Sequence, residues 1–230
     1  SLLIKLSNNE KFEVLIFATG MHQLKKYDYT YLEIEKSNLK NIFNFINQNE
    51  NDSMDSVLAK TITGLSDYVK EYMPDMIVVH GDRIEALAAA TVGCLNNILV
   101  SHIEGGEVSG TVDEMLRHSI SKLSHFHFVS NQDAKNRLMQ MGEMDNSIFV
   151  VGSPEVDLIN SSDLPSVEEV KEYYDISFDQ YSVVLFHPVT TEHDQIALNA
   201  KDLVETIFED SRNYIVIHPN NDFGSDIILD

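Results

Sequence analysis

The chain has 230 residues, of which 43% are hydrophobic, so it can bury a substantial core in one or two domains. Its formal net charge of −21 at pH 7 argues against nucleic acid or an anionic membrane as a partner, and no apolar run approaches the ~20 residues of a membrane span. The single cysteine, Cys94, excludes an intrachain disulfide, and its apolar surroundings predict burial in a reducing, cytoplasmic setting.

The first part of the chain alternates strand-like apolar runs with stretches of helical periodicity. It opens on SLLIKL, which is typical of the end of a helix, and a strand is predicted at 12–18; the following Lys-, Tyr- and Asn-rich stretch shows no clear pattern. The remaining predictions are helices at 53–73, 85–95, 112–123 and 134–142 and strands at 76–80, 98–103, 126–130 and 147–151. This alternation favours an α/β fold, a parallel sheet with helices on both faces.

The pattern changes after Gly152, where SPEVDLINSSDLPSVEE is typical of a linker. A strand at 181–186, a helix at 193–209 and a strand at 213–217 then begin a second α/β unit. We therefore predict a first domain at 1–160 and, at 161–230, a linker with an incomplete second domain. The chain is expected to be a fragment that lacks an N-terminal strand and much of the second domain.

Polar and ionisable residues gather where the predicted strands end. Ligands of parallel α/β sheets bind beyond the carboxyl ends of the strands. The residues at those ends are Gly20-Met21-His22, Gly81-Asp82-Arg83, Glu104-Gly105-Gly106-Glu107 with the run to Asp113, His187-Pro188-Val189-Thr190, and His218-Pro219-Asn220-Asn221-Asp222. The convergence predicts a ligand cleft, in which a phosphorylated ligand would depend on local donors.

Each of these acids also has a structural interpretation. Asp82 could cap the following helix, and Asp113 and Arg117, four residues apart on a predicted helix, could form a surface ion pair. Glu104 is harder to explain structurally, because it follows an apolar strand and precedes two glycines. We expect it to be partly buried and suited to proton transfer, and we expect the glycines to permit unusual φ angles and close approach to a ligand.

Other chemistries receive little support from the sequence. His125 and His127 share a strand face without an evident third metal ligand, so they are predicted to be structural, as is His80. GxxxxGK[ST], GxGxxG and a serine or cysteine nucleophile elbow are absent. The residues alone indicate carboxylate and histidine acid–base chemistry on a phosphorylated ligand, without identifying that ligand.

Six segments in order resemble the hydrolysing UDP-N-acetylglucosamine 2-epimerases, the group that supplies N-acetylmannosamine for sialic acid synthesis. They are HGDRIEALAAA, HIEGGEVSGTVDEMLRHSISKLSH, HFVSNQDAKNRLMQMGE, VGSPEVD, FHPVTTE and HPNNDFGS. The non-hydrolysing epimerases are less similar, because an Ala-Gly-Leu-Arg type stretch follows their glutamate. The resemblance implies two Rossmann-like domains facing a cleft, as in GT-B glycosyltransferases. It also implies a homodimer or homotetramer, with helix 53–73 as a candidate interface, although burial within its own domain is the favoured role of that helix.

The resemblance further implies a reaction on a UDP-sugar that needs neither metal nor redox cofactor. UDP is eliminated to give a 2-acetamidoglucal intermediate, and water then adds with inverted stereochemistry at C2. The family's catalytic positions fall on Asp82, Glu104, Asp113 and His187, with the base and acid unassigned among the carboxylates. The implied substrate-binding residues are Gly81, Arg83, Gly105, Gly106, Arg117, Asn220, Asn221, Asp222 and Ser225.

Three other interpretations stay open at this point. The same reaction on UDP-2,4-diacetamido-2,4,6-trideoxyglucose would use the same motifs. A GT-B glycosyltransferase would need an acceptor and would leave the paired acids around the Gly-Gly loop without a role. A nucleotide-sugar sensor without catalytic activity would not need all four catalytic positions.

Overall fold

The computed structural model describes residues 2–25, 29–49, 52–161, 164–187, 189, 192–219 and 224–229. The chain divides into two compact units, Ser1–Asn160 and Ser161–Asp230. We refer to them as unit 1 and unit 2. Within the described ranges, no helix combines the length and apolar character needed to cross a membrane.

Unit 1 alternates strands and helices along the chain. Its elements are α1 (Leu2–Ser7), β1 (Ile16–Ala18), α2 (Leu32–Lys36), β2 (Ile42–Asn44), α3 (Met54–Tyr72), β3 (Met76–His80), α4 (Ile84–Leu95), β4 (Leu99–Ile103), α5 (Val112–Lys122), β5 (Phe126–Val129), α6 (Gln132–Gln140), β6 (Ile148–Val150) and α7 (Pro154–Ile159). Between residues 76 and 151 the predicted helices and strands are confirmed to within two residues at each end.

The strands β3, β4, β5 and β6 form a parallel sheet in that order. Each connection is a helix between neighbouring parallel strands, so right-handed crossovers place α4, α5 and α6 on the same face. The core lies under those helices, where Val79, Val100 and Ile120 form one cluster. On the opposite face, Met76 and Val78 are 41% and 50% exposed, and the described residues provide no helix over them. For this sheet, the prediction of helices on both faces is therefore wrong within the described residues.

A second core cluster joins α3 to the sheet. Leu65, Val69 and Val92 are buried together, and Tyr68 packs edge-on against Phe17 of β1 at 5.2 Å between ring centroids. The apolar side of α3 is therefore used inside unit 1, as the favoured interpretation of that helix expected. The strands β1 and β2 pair in parallel as a separate two-stranded ladder.

Unit 2 repeats the α/β alternation on a smaller scale. It contains α8 (Val167–Tyr173), β7 (Ser182–Leu185), α9 (Ile196–Glu209), β8 (Tyr214–Ile217) and α10 (Ser225–Leu229). The strands β7 and β8 pair in parallel, and α9 buries Ile196 and Ala200.

Four local predictions need correction. The strand predicted at 12–18 extends only over Ile16–Ala18. The strand β2 was missed, because it is only three residues long and lies in an Asn-rich stretch. The linker predicted after Gly152 contains α7 and α8, which begin at capping serines that the sequence analysis took as loop residues. Cys94 is exposed, because the last turn of α4 directs Val92 and Gly93 inward and turns the cysteine outward.

Candidate active site

The ends of neighbouring strands in unit 1 continue as hydrogen-bonded loops. The Gly81 N–H donates to the Ile103 carbonyl at 3.0 Å, and the Glu104 N–H donates to the Phe128 carbonyl at 2.8 Å. These bonds extend the ladder past the last strand residues. The loop after β3 and the loop after β4 therefore lie side by side at the carboxyl edge of the sheet.

Glu104 leaves the strand in a left-handed backbone conformation, with φ of 62°. Its side chain is 21% exposed, as the sequence predicted for a partly buried acid. The Glu104 Oε2 atom lies 2.7 Å from His80 Nε2, and Oε1 accepts a hydrogen bond from Ser153 Oγ at 3.0 Å. Both carboxylate oxygens are thus held by side chains from other segments of the edge.

Asp82 forms an ion pair with Arg117 of α5. It does not cap α4, because the N-cap residue is Arg83 and no side chain accepts a hydrogen bond there. Arg117 also donates to Ser109 Oγ at 3.3 Å, and its side chain is only 14% exposed. The guanidinium therefore ties the loop after β3 to the glycine-rich loop after β4.

A buried histidine supports both loops from below. His102 is fully buried; its Nε2 contacts the Gly81 carbonyl at 2.8 Å and its Nδ1 contacts Ser121 Oγ at 3.0 Å. Burial lowers the pKa of His102 to about 4, despite the opposing hydrogen bond to Gly81. A Cβ on Gly105 would come within 2.8 Å of both His102 Nδ1 and Ser121 Oγ.

The glycine-rich loop is also fixed against α6. Arg137 donates to the Gly106 carbonyl, and Asn131 Nδ2 donates to Glu107 Oε1 at 3.1 Å. Gly106 has φ of 77°, and a Cβ there would lie 2.5 Å from the Ala134 carbonyl oxygen. Of the two adjacent glycines, Gly106 carries the unusual φ, whereas Gly105 is required by close packing.

The other predicted site residues fall into three groups. Asp113 lies in the first turn of α5 and is half-buried, and Arg83 lies beside Met21, with 3.9 Å between Nη1 and Sδ. In unit 2, His187 is exposed after β7 and Ser225 is buried at the start of α10. Asn220, Asn221 and Asp222 lie outside the described residues.

The contacts of His80 and Ser153 with Glu104 were not predicted from the sequence. His80 was interpreted as a structural histidine, and Ser153 fell within the predicted linker. A signal was available, because His80 ends β3 and Ser153 lies shortly after β6, at the edge where a parallel sheet collects its polar side chains. His80 and Ser153 both reach Glu104 because of the backbone φ angle of Glu104, and the sequence does not reveal that angle.

The remaining histidine predictions concern structural contacts. The Val100 N–H donates to His125 Nδ1 at 3.0 Å, while His127 is fully buried with Nε2 3.3 Å from Glu143 Oε2. Burial lowers the pKa of His127, against the raising effect of Glu143. In the part of the chain that the structure describes, no group of three or more His, Cys, Asp or Glu residues is arranged to hold a metal ion.

Comparison with known proteins points to one family. A family model described as UDP-N-acetylglucosamine 2-epimerase matches residues 4–230. A UDP-N-acetylglucosamine 2-epimerase of Neisseria meningitidis serogroup B is 47% identical over 228 residues, covering 99% of this chain and 60% of the relative. A Legionella pneumophila protein named UDP-N,N'-diacetylbacillosamine 2-epimerase (hydrolyzing) is 35% identical over 232 residues, covering 99% of this chain and 61% of the relative.

The fold is shared with solved structures. A crystal structure of UDP-GlcNAc 2-epimerase from Neisseria meningitidis bound to UDP-GlcNAc has a TM-score of 0.78 at 19% identity, covering 99% of this chain and 64% of that one. The predicted α/β class, with parallel sheets flanked by helices in a GT-B-like architecture, is thereby confirmed. The chain spans about 60% of the length of the two curated relatives described above.

Proposed function

The chain belongs to the UDP-N-acetylglucosamine 2-epimerase family, and we propose that it serves the hydrolysing reaction of UDP-N-acetylglucosamine to N-acetylmannosamine and UDP. The observation that carries the proposal is the pair of partly buried carboxylates, Asp82 and Glu104, at the ends of neighbouring strands. The 47% identical relative named for this sugar supports the choice of substrate. N-acetylmannosamine would then feed sialic acid synthesis.

The proposed reaction has two stages. In the first, a base removes the C2 proton, the C2–H electron pair forms the C1=C2 bond, and the C1–O bond breaks to release UDP. In the second, the 2-acetamidoglucal takes a proton at C2 on the opposite face and water adds at C1. The sum is consumption of one water and inversion at C2. No electron is gained or lost overall, so the proposed reaction needs no redox cofactor. The proposal also includes no metal, as the resemblance implies.

The carboxylates would carry the proton transfers. Asp82, Glu104 and Asp113 supply the base and the acids, because a positioned carboxyl group can both take and return a proton within one cycle. We assign His187, after β7, to the diphosphate or the leaving oxygen. Gly81, Gly105 and Gly106 would let backbone approach the substrate, and side-chain contacts are assigned to Arg83, Arg117, Asn220, Asn221, Asp222 and Ser225.

The hydrolysing form is preferred over simple epimerisation for two reasons. The stretch after Glu104 is Gly-Gly-Glu, as in the hydrolysing group that the sequence resembles. The 35% identical Legionella pneumophila relative is itself named as hydrolyzing. The homodimer or homotetramer stays a prediction of the resemblance, and the cytoplasmic location stays a prediction from the cysteine content.

The test uses the full-length protein with UDP-N-acetylglucosamine in deuterated water, followed by proton NMR without added metal or nucleotide cofactor. We expect N-acetylmannosamine deuterated at C2 together with free UDP. Glu104→Gln should abolish this signal. Glu71→Gln is the control, because Glu71 is an exposed acid near the end of α3, outside the loops at the strand ends, and it should retain turnover.

The other possible outcomes identify the alternatives. UDP-N-acetylmannosamine as the accumulating product would indicate the non-hydrolysing reaction. No turnover, followed by hydrolysis of UDP-2,4-diacetamido-2,4,6-trideoxyglucose, would move the assignment to that sugar. If both sugars stay intact, the enzymatic proposal is wrong, and a transferase or a sensor becomes the better interpretation.

A further inference from the structure

Glu104 reaches its neighbours because its backbone breaks the strand pattern. In a regular strand, side chains two residues apart share a face, so Glu104 would follow His102 toward α5. The left-handed φ of 62° ends that alternation. A non-glycine residue in this conformation is disfavoured and persists only where surrounding contacts hold it. The Glu104 N–H bond to the Phe128 carbonyl, at 2.8 Å, is one such contact.

The other contacts hold the carboxylate itself. His80 is the last residue of β3, and its Nε2 lies 2.7 Å from Glu104 Oε2. Ser153, directly before α7, donates to Oε1 at 3.0 Å. In the strand order, β3 lies on one side of β4 and β6 lies on the other, so His80 and Ser153 approach Glu104 from opposite sides. Because they bind different oxygens, they fix the plane of the carboxylate. If the Glu104 Oε2 atom accepts in this contact, the hydrogen lies on His80 Nε2.

We propose that His80 and Ser153 are positioning residues that clamp the Glu104 carboxylate, one on each oxygen, in the orientation required for proton transfer at the sugar. The inference rests on the proposed function and deepens it. Proton transfer depends on geometry first, and a carboxylate free to rotate spends little time aligned with the reacting proton. The lone pairs not used by the clamp stay available to the substrate.

A purely structural role would give a different pattern of effects. The His80 side chain is 50% exposed, so its removal opens little of the core. A clamp predicts a fall in kcat with little change in KM, because the substrate is still bound while its proton is poorly aligned. It also predicts that a different side chain with a correctly placed donor restores the rate.

The kinetic experiment compares four variants of the full-length protein with the wild type. His80→Phe and Ser153→Ala, which remove a donor to a charged group, should each lower kcat about tenfold to hundredfold. KM should stay within about twofold. His80→Gln and Ser153→Thr, which keep an N–H or O–H donor, should recover most of the loss.

A second measurement tests the geometry without turnover. In protein labelled with ¹⁵N-histidine, long-range correlations identify which nitrogen of a neutral ring carries the hydrogen. We expect the neutral His80 ring to be protonated at Nε2, and we expect Glu104→Gln to shift that nitrogen. A hydrogen found only on Nδ1, or a signal unmoved by Glu104→Gln, would overturn the clamp.

The two measurements separate the two proposals. If the wild type turns over substrate while His80→Phe keeps its full kcat, the clamp is wrong and the proposed function stands. If His80→Gln is as slow as His80→Phe, the hydrogen bond is not the reason for the loss, and the clamp is again overturned. If the wild type turns over neither sugar, the proposed function fails and the clamp loses its catalytic purpose, even where NMR reproduces its geometry.

Discussion

Acid should destabilise this fold through His102, the buried histidine beneath the carboxyl edge of the sheet in unit 1. Its ring is fully buried, and its nitrogens contact the Gly81 carbonyl and Ser121 Oγ at 2.8 and 3.0 Å. Desolvation lowers its pKa from 6.5 to about 4. In the unfolded chain the same ring regains its ordinary pKa of about 6.5. Between these two values the unfolded state binds a proton that the folded state does not.

The sign and size follow from this difference. Because the unfolded state binds more protons, the free energy of unfolding rises with pH across the window. The contribution of His102 is complete above pH 6.5 and is lost as the pH falls toward 4. Only the unfolded ring is protonated between about pH 6.5 and pH 5, and each pH unit in that interval lowers the free energy of unfolding by about 1.4 kcal/mol. Between pH 7.5 and pH 5 the free energy of unfolding therefore falls by about 2 kcal/mol.

Urea unfolding followed by circular dichroism measures this loss, since the chain has no tryptophan for fluorescence. His102→Gln should be less stable than the wild type at pH 7.5, because the Gly81 carbonyl and the Ser121 hydroxyl lose a well-placed hydrogen-bond partner. Its stability should then fall by about 2 kcal/mol less between pH 7.5 and pH 5. Val100→Ala is the matched control, since it removes buried volume on the same strand without removing a titrating group.

The test compares how steeply the free energy of unfolding changes with pH in the wild type and in His102→Gln. His127 is also buried with a lowered pKa, so the His102→Gln variant should retain some acid sensitivity. Val100→Ala should lose stability by a similar amount at both pH values and keep the wild-type slope. Equal slopes for His102→Gln and the wild type would refute the argument, because they would mean that His102 binds its proton equally in both states.

Three further predictions concern the packing around the site. Gly105→Ala places a Cβ 2.8 Å from the buried His102 Nδ1 atom, so it should lower the free energy of unfolding by about 1–3 kcal/mol and remove most of the activity. Gly110→Ala is the control, because a Cβ there has no atom within 4 Å, and it should lower stability little in the same urea assay. Arg117→Lys should lower stability by about 1–3 kcal/mol and reduce kcat/KM, since an ammonium cannot bridge Asp82 and the Ser109 hydroxyl as a guanidinium does; wild-type kinetics would contradict this. Asn47→Leu should destabilise by about 1–3 kcal/mol in urea unfolding, because it leaves the Gly20 N–H and the Thr61 hydroxyl of α3 without their buried partner, and an unchanged midpoint would count against that role.

The fold could be predicted where the sequence period matched a regular element. The strands β3 to β6 are apolar runs bounded by loop residues, and α3 to α6 have clear helical spacing. The prediction failed where the elements are short and their stabilisation is local. Helix α8 begins with a capping box formed by Ser166 and Glu169, yet its neighbourhood of prolines and acids resembles a linker. A capping box occupies only four residues, so it is overlooked when the composition of a longer stretch is used to predict a linker.

The site could be predicted only in part, for a geometric reason. Topology brings the strand ends together, so the positions of Asp82 and Glu104 on neighbouring strands followed from the order of the elements. Which side chains meet is decided by single backbone angles. The φ of Glu104 selects His80 and Ser153 as its partners, and sequence periodicity alone would have directed it toward α5.

The negative charge of the chain bears on the contacts of both acids, Asp82 and Glu104. A net charge of −21 offers the proposed anionic substrate no long-range attraction, so its binding would depend on donors within a few ångströms. The Debye length of about 8 Å at physiological salt screens the distant surface acids but not the carboxylates at the edge itself. Asp82 therefore has its charge offset by Arg117, and Glu104 has its charge dispersed over the His80 and Ser153 hydrogen bonds. If the proposed function holds, the contacts that orient the two acids would also reduce the repulsion that a diphosphate meets there.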